Sequence, residues 1–182
     1  MESAFLSAVK MLRERARSHI EQAAASNRES GDRSTVIRLL NEALATEIAC
    51  VVRYKRHHFM ARGVYAPSVA TEFLRHAEEE QRHAEQIADR IVQLEAKPNF
   101  SPEESMARGQ PDDPEGETLF EMIKEDLAAE RVAIENYREM IQYVGESDST
   151  TRRLLETMLE KEMEHAHEIS PLLRAVEPVR SV

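Results

Sequence analysis

Four stretches of this chain space their apolar side chains at the 3.6-residue period of an α-helix, and a glutamate stands in the middle of each stripe. In the first, Val36, Leu40, Leu44, Val51, Tyr54 and His58 share the face that holds Glu47. In the second, Val69, Phe73, Ala77, Ile87, Ile91 and Leu94 flank Glu80 and His83. The third runs Leu119, Ile123, Leu127, Ile134, Tyr137 and Ile141 around Glu130. In the fourth, Leu155, Met158, Ile169 and Leu172 flank Glu162 and His165. A buried carboxylate without a partner costs several kcal/mol or shifts its pKa until neutral, so four in one core require cations among them. Two divalent ions match that charge. Each Glu-x-x-His pair lies at i, i+3, one turn apart on one helical face.

Boundaries follow from punctuation. Ser34 or Thr35 is expected to cap the first bundle helix, which ends near Arg62 before Gly63. Pro67 and Ser68 open the second, which runs to about Ala96 before Pro98. Pro102, Gly109, Pro111, Pro114 and Gly116 break the stretch 98–117, predicting a long crossover. Thr118 caps the third helix, Gly145 ends it, and Ser147 or Asp148 caps the fourth. Ahead of the bundle, residues 3–25 read as an amphipathic helix bearing Phe5, Val9, Leu12, Ala16 and Ile20, and residues 26–34 as a polar linker. The expected organisation is an all-α four-helix bundle over 35–175, preceded by a helix and linker over 1–34 and followed by a tail over 176–182. No run of alternating β-branched residues argues for a sheet.

The two halves repeat. Glu47 precedes Glu80 by 33 residues and Glu130 precedes Glu162 by 32, with a histidine three residues after the second glutamate each time. Two hairpins facing each other would build a near-symmetric binuclear site. Composition alone predicts about one Glu-x-x-His, yet three occur. The third, Glu164 with His167, aligns with Glu160, Lys161 and Glu168 on a solvated face, which assigns the ligand register to Glu162 and His165. Tyr54, two turns from Glu47, reads as core packing with a hydrogen-bonded hydroxyl, although a phenol beside a redox metal can also donate an electron. His57, His58 and His76 read as surface groups or neighbours of the ligands. Cys50 reads as a small buried hydrophobe.

The net charge of −10 repels nucleic acid and anionic lipid, so no nucleic-acid partner is expected. The basic residues Lys10, Arg13, Arg15 and Arg17 are interleaved with acidic ones and suit a solvated face or subunit contact. No secretory signal or membrane-spanning run is evident, and a cytoplasmic protein is expected.

The segments Leu40-Asn41-Glu42-Ala43-Leu44 through Glu47 and Tyr54, Glu80-Gln81-Arg82-His83-Ala84, Leu94-Glu95 followed by Pro98-Asn99, Leu127-Ala128-Ala129-Glu130 and Glu162-Met163-Glu164-His165 resemble the ferritin-like superfamily, most closely bacterioferritins. The resemblance spans about 36–172. It implies a di-iron ferroxidase centre in each subunit, two Fe ions with Mn or Zn as alternative occupants, and substrates Fe(II) with O2 or H2O2. Glu47 with His83 and Glu130 with His165 would be terminal ligands, with Glu80 and Glu162 bridging. Bacterioferritins hold haem through a methionine just after the second-helix glutamate; Gln81 stands there, so haem is not expected. Few residues follow His165, and Pro171 and Pro178 are among them, leaving little room for the fifth helix of 24-subunit shells. A homo-oligomer of 12 or 24 subunits storing ferric mineral is implied. Two alternatives are a free-standing di-metal enzyme, such as a rubrerythrin-like peroxidase or manganese catalase, and a Dps-like DNA-protecting protein. Ala133 stands where rubrerythrins bring a further glutamate.

Overall fold

Four helices carry the four stripes. The computed structural model describes residues 30–101 and 118–176, in which α1 spans Ser30–Met60, α2 Ala66–Gln93, α3 Leu119–Val144 and α4 Ser149–Val176. No strand is present among the described residues. α1 packs chiefly on α2 and α3 on α4, so two hairpins meet across a sparser interface. The expected N-terminal helix, most of the crossover and the C-terminal tail lie outside the described residues.

Local chemistry accounts for the boundaries. Gly63 takes a φ of 107°, a conformation that favours a residue without Cβ, and so turns the chain between α1 and α2. α2 ends at Gln93 with Leu94 as its C-cap, after which Glu95 enters the left-handed region and the amide of Ala96 donates back to the Ile91 carbonyl at 3.1 Å. Thr118 forms a capping box with Glu121: its hydroxyl accepts from the Glu121 amide at 3.2 Å while its own amide donates to the Glu121 carboxylate at 3.0 Å. Gly145 closes α3 as expected. Asp148 caps α4 by accepting from the Thr151 amide at 2.9 Å and is itself held by Arg90 of α2.

One boundary differs from the sequence reading. α1 begins at Ser30, so residues 30–34 are helical rather than linker. Their low helix propensity costs at most about 1 kcal/mol per residue, and Arg33 offsets part of it by donating to the Leu94 carbonyl and pairing with Glu95 at 3.0 Å. Pro171 sits inside α4. The helix continues to Val176 because Leu172, Leu173 and Val176 still pack against the core.

The core has two apolar layers. One gathers Leu40, Leu44, Ile87, Ile91, Tyr137, Met140, Leu155 and Met158; the other gathers Tyr54, Phe73, Ala77, Met122, Ile123, Leu127 and Ile169. Along every helix the charged residues 47, 80, 83, 130, 162 and 165 fall between the segments that supply these layers. Of the expected stripe, Val51, His58, Leu94, Leu119, Ile141 and Leu172 are half-buried at its edge. Replacing Thr118 by alanine removes one side of the capping box and is expected to lower the unfolding free energy by about 1 kcal/mol, read as a reduced urea midpoint with unchanged slope.

Candidate metal centre

Between the apolar layers, α1 contributes Glu47, α2 Glu80 and His83, α3 Glu130, and α4 Glu162 and His165. All six are buried. Their donor atoms form two overlapping groups, each within 4.8 Å: Glu47, Glu80, His83 and Glu162 on one side, Glu80, Glu130, Glu162 and His165 on the other. Glu80 and Glu162 belong to both. The structure thus brings together all six residues singled out by spacing and leaves Glu164 and His167 exposed, with Glu164 paired to Lys161 at 2.6 Å.

Both imidazoles turn Nδ1 inward. His83 Nδ1 lies 3.1 Å from Glu162, 3.2 Å from Glu80 and 3.5 Å from Glu47. His165 Nδ1 lies 3.2 Å from Glu80 and 3.8 Å from Glu130, while its Nε2 meets Glu79 at 2.6 Å. Such an outer carboxylate fixes the ring and makes the inner nitrogen a better ligand. Two phenols do similar work on the carboxylates: Tyr54 donates to Glu130 and Tyr137 donates to Glu47. Three buried carboxylate oxygens, Glu47 Oε2, Glu130 Oε2 and Glu162 Oε1, have no well-directed hydrogen bond, the imidazole Nδ1 atoms beside them lying at 3.5, 3.8 and 3.1 Å. Unsatisfied buried oxygens that face a shared point are what cation ligands look like in the absence of other donors.

The protein's own groups balance their charge by sharing protons. Burial and the Glu80 charge push Glu47 up to about 8. Burial and the charges of Glu80, Glu130 and Glu47 push Glu162 well above the carboxylate range. Burial opposes ionisation of Glu80 and Glu130 too, but hydrogen bonds, chiefly from His165, outweigh it and hold both low. Burial disfavours the imidazolium of His83, yet hydrogen bonds to Glu47 and Glu80 raise it to about 9; hydrogen bonds to Glu130 and Glu80 likewise raise His165 to about 11. Two carboxylates and two imidazoliums then carry charge, and the cage is neutral. The four protons held on Glu47, Glu162, His83 and His165 carry the same charge as two divalent ions.

His76 and His57 are both fully buried, against the reading as surface groups, and His76 is a neighbour of the ligands, the other reading given for these histidines. His76 Nδ1 faces the Tyr54 hydroxyl at 3.2 Å, and its ring stacks on His165 with centroids 4.3 Å apart. Burial and the neighbouring His165 hold its pKa below the ordinary value. One turn from Tyr54, His57 Nδ1 pairs with the fully buried Asp126 at 2.9 Å. Burial disfavours the charged form of His57, but hydrogen bonds to Asp126 and Glu125 raise its pKa. His58 is half-buried and contacts the Ala70 carbonyl at 2.7 Å. Cys50 is buried, as expected.

The ferritin family's sequence pattern, described as a ferritin-like domain, matches residues 37–178. The chain belongs to the ferritin-like family. It is 34% identical to the bacterioferritin of Mycobacterium avium over 131 residues, covering 71% of this chain and 78% of the relative. The structure superposes with a TM-score of 0.74 on the dodecameric thioferritin described as the bacterioferritin-related protein from Bacteroides fragilis, at 27% identity over 88% of this chain and 94% of that one. Dps from Thermosynechococcus elongatus shares the fold at 18% identity, with a TM-score of 0.73 over 82% of this chain and 97% of its own. No helix among the described residues of this ferritin-like chain is long and apolar enough to cross a membrane.

Linkage gives the centre a pH signature. His83 ordinarily titrates near 6.5 and is held to about 9, so its stabilisation is fully present below 6.5 and lost as pH rises through about 9. Glu47 ordinarily titrates near 4.5 and is raised to about 8, so its folded state also binds the extra proton and loses stability as pH climbs to about 8. The signs agree. Chelator-treated protein is expected to have a lower urea midpoint at pH 9 than at pH 7; an unchanged or higher midpoint would contradict the charge balance.

Proposed function

We propose that this chain is a ferroxidase of the bacterioferritin type that oxidises Fe(II) at an intrasubunit binuclear centre, with O2 or H2O2 as oxidant. The two overlapping donor groups with shared Glu80 and Glu162 carry this reading. Glu47 with His83 would hold one substrate Fe(II), Glu130 with His165 the other, and Glu80 with Glu162 would bridge them. Hard anionic oxygens favour the ferric state, and paired sites allow two electrons to leave together. Two Fe(II) reduce O2 and two protons to H2O2, or H2O2 and two protons to two waters.

The chain's residues divide the remaining work. Tyr137 and Tyr54 orient the terminal carboxylates, Glu79 orients His165, and the apolar layers restrict water. Tyr54, hydrogen-bonded to Glu130, is also placed to supply an electron, with its proton passing to that carboxylate. Ala133, buried in the core, leaves no further carboxylate at the position where the rubrerythrin pattern has one. The likeness to a dodecameric relative supports a hollow homo-oligomer, of 12 or 24 subunits, in which ferric product is stored. The same assembly could hold Mn or Zn at the centre; haem has no assigned ligand, and DNA binding is disfavoured by the charge of −10.

Glu80→Gln and Glu162→Gln are each expected to slow Fe(II) oxidation by about 100-fold or more, beyond the loss typical of removing a supporting partner, while circular dichroism stays helical. A wild-type rate in either variant would refute the assignment. Uptake of two divalent ions at pH 7 is expected to release about four protons per chain, because Glu47, Glu162, His83 and His165 must give theirs up. A pH-stat titration with Zn(II) counts them.

A further inference from the structure

Beside the cage, on the face shared by α2 and α4, lies a second set of donors. One atom each of Glu72, His76 and Glu168 falls within 4.8 Å of the others; Glu72 is half-buried, Glu168 exposed and His76 buried. The orientation of His76 is decided by its neighbours. Tyr54 gives its hydroxyl proton to Glu130, so its oxygen can only accept from the ring, and Nε2, 2.8 Å from a guanidinium nitrogen of Arg75, presents a lone pair. The ring proton then sits on Nδ1 and is donated to the Tyr54 hydroxyl. Glu168 lies 3.1 Å from the same Nε2.

Arg75 stands where a cation would stand. Besides His76, its guanidinium meets Glu72 at 3.0 Å, Glu79 at 3.0 Å, and Glu168. Its side chain is 37% exposed, so one side of the guanidinium faces solvent. What its displacement would uncover is two carboxylates and one neutral imidazole, matched in charge to a single divalent ion and in donor type to a first-row metal. The set also connects inward. His76 forms another donor group with Glu130 and His165, and those two belong to the binuclear cage, so adjacent groups share a residue from the surface to the centre.

We infer that Glu72, His76 and Glu168 form a third divalent-cation site, open to solvent, for which Arg75 is the competing internal cation. That the physiological ion is Fe(II) rests on the proposed function; the site itself does not.

The test uses the full chain and Co(II), an air-stable ion with similar ligand preferences. Crystals soaked in Co(II) are expected to show three anomalous peaks per chain, one of them bonded to His76 Nε2. In equilibrium dialysis, Glu168→Gln and Glu72→Gln should each weaken the third site by about tenfold or more and leave two tight ions. Arg75→Gln should strengthen it, an effect that a purely structural salt bridge would not produce. Two central ions with no third peak, a third peak indifferent to Glu168→Gln, or weaker binding in Arg75→Gln would overturn the inference while sparing the ferroxidase reading. Occupancy at His76 with none in the cage would support the inference and remove that reading. Protein that takes up no Co(II) anywhere would overturn both.

Discussion

Mutual repulsion among four buried carboxylates is the constraint around which this bundle is organised. Glu47, Glu80, Glu130 and Glu162 converge within a few ångströms in a core that excludes water. A cluster of like charges there survives only if positive charge is drawn in with it. The protein meets this demand with protons on two imidazoles and two carboxyls. Metal ions meet it with the same total charge and better geometry for the oxygens that lack a well-directed donor. Proton inventory, pH response and metal affinity are therefore three views of one electrostatic balance.

Much of this was legible in the sequence because both the helical stripes and the ligands obey one rule, the period of 3.6 residues. Glu162 could be chosen over Glu164 on periodicity alone, and the structure buries the first and exposes the second. Thr118, Gly145 and Asp148 were legible for a similar reason, since capping is a local matter of side chain against nearby backbone.

The supporting residues were harder to read because their role depends on which helices meet. Tyr137 lies on the expected apolar stripe, and nothing in its spacing shows that its hydroxyl reaches Glu47 on another helix. Glu79 sits in a run of three glutamates that looks solvated, yet it is the one that orients His165. His57 and Asp126 are 69 positions apart and are joined only when α1 and α3 face each other. Each could have been flagged as a polar residue on a ligand-bearing helix, but the partner could not. The early start of α1 was not legible for the same reason, because Arg33 finds its acceptors at the far end of α2.

The placing of a polar layer between two apolar ones also governs how the hairpins can mate. A pair of uniformly greasy hairpins could slide past one another by a helical turn, about 5.4 Å, and still bury equivalent surface. Here such a slip would press Glu130 or Glu162 against Phe73 or Ile87 and strand each charge, at a cost of several kcal/mol. The charged belt is thus an alignment key: it admits one vertical offset and rejects its neighbours before any ion is captured.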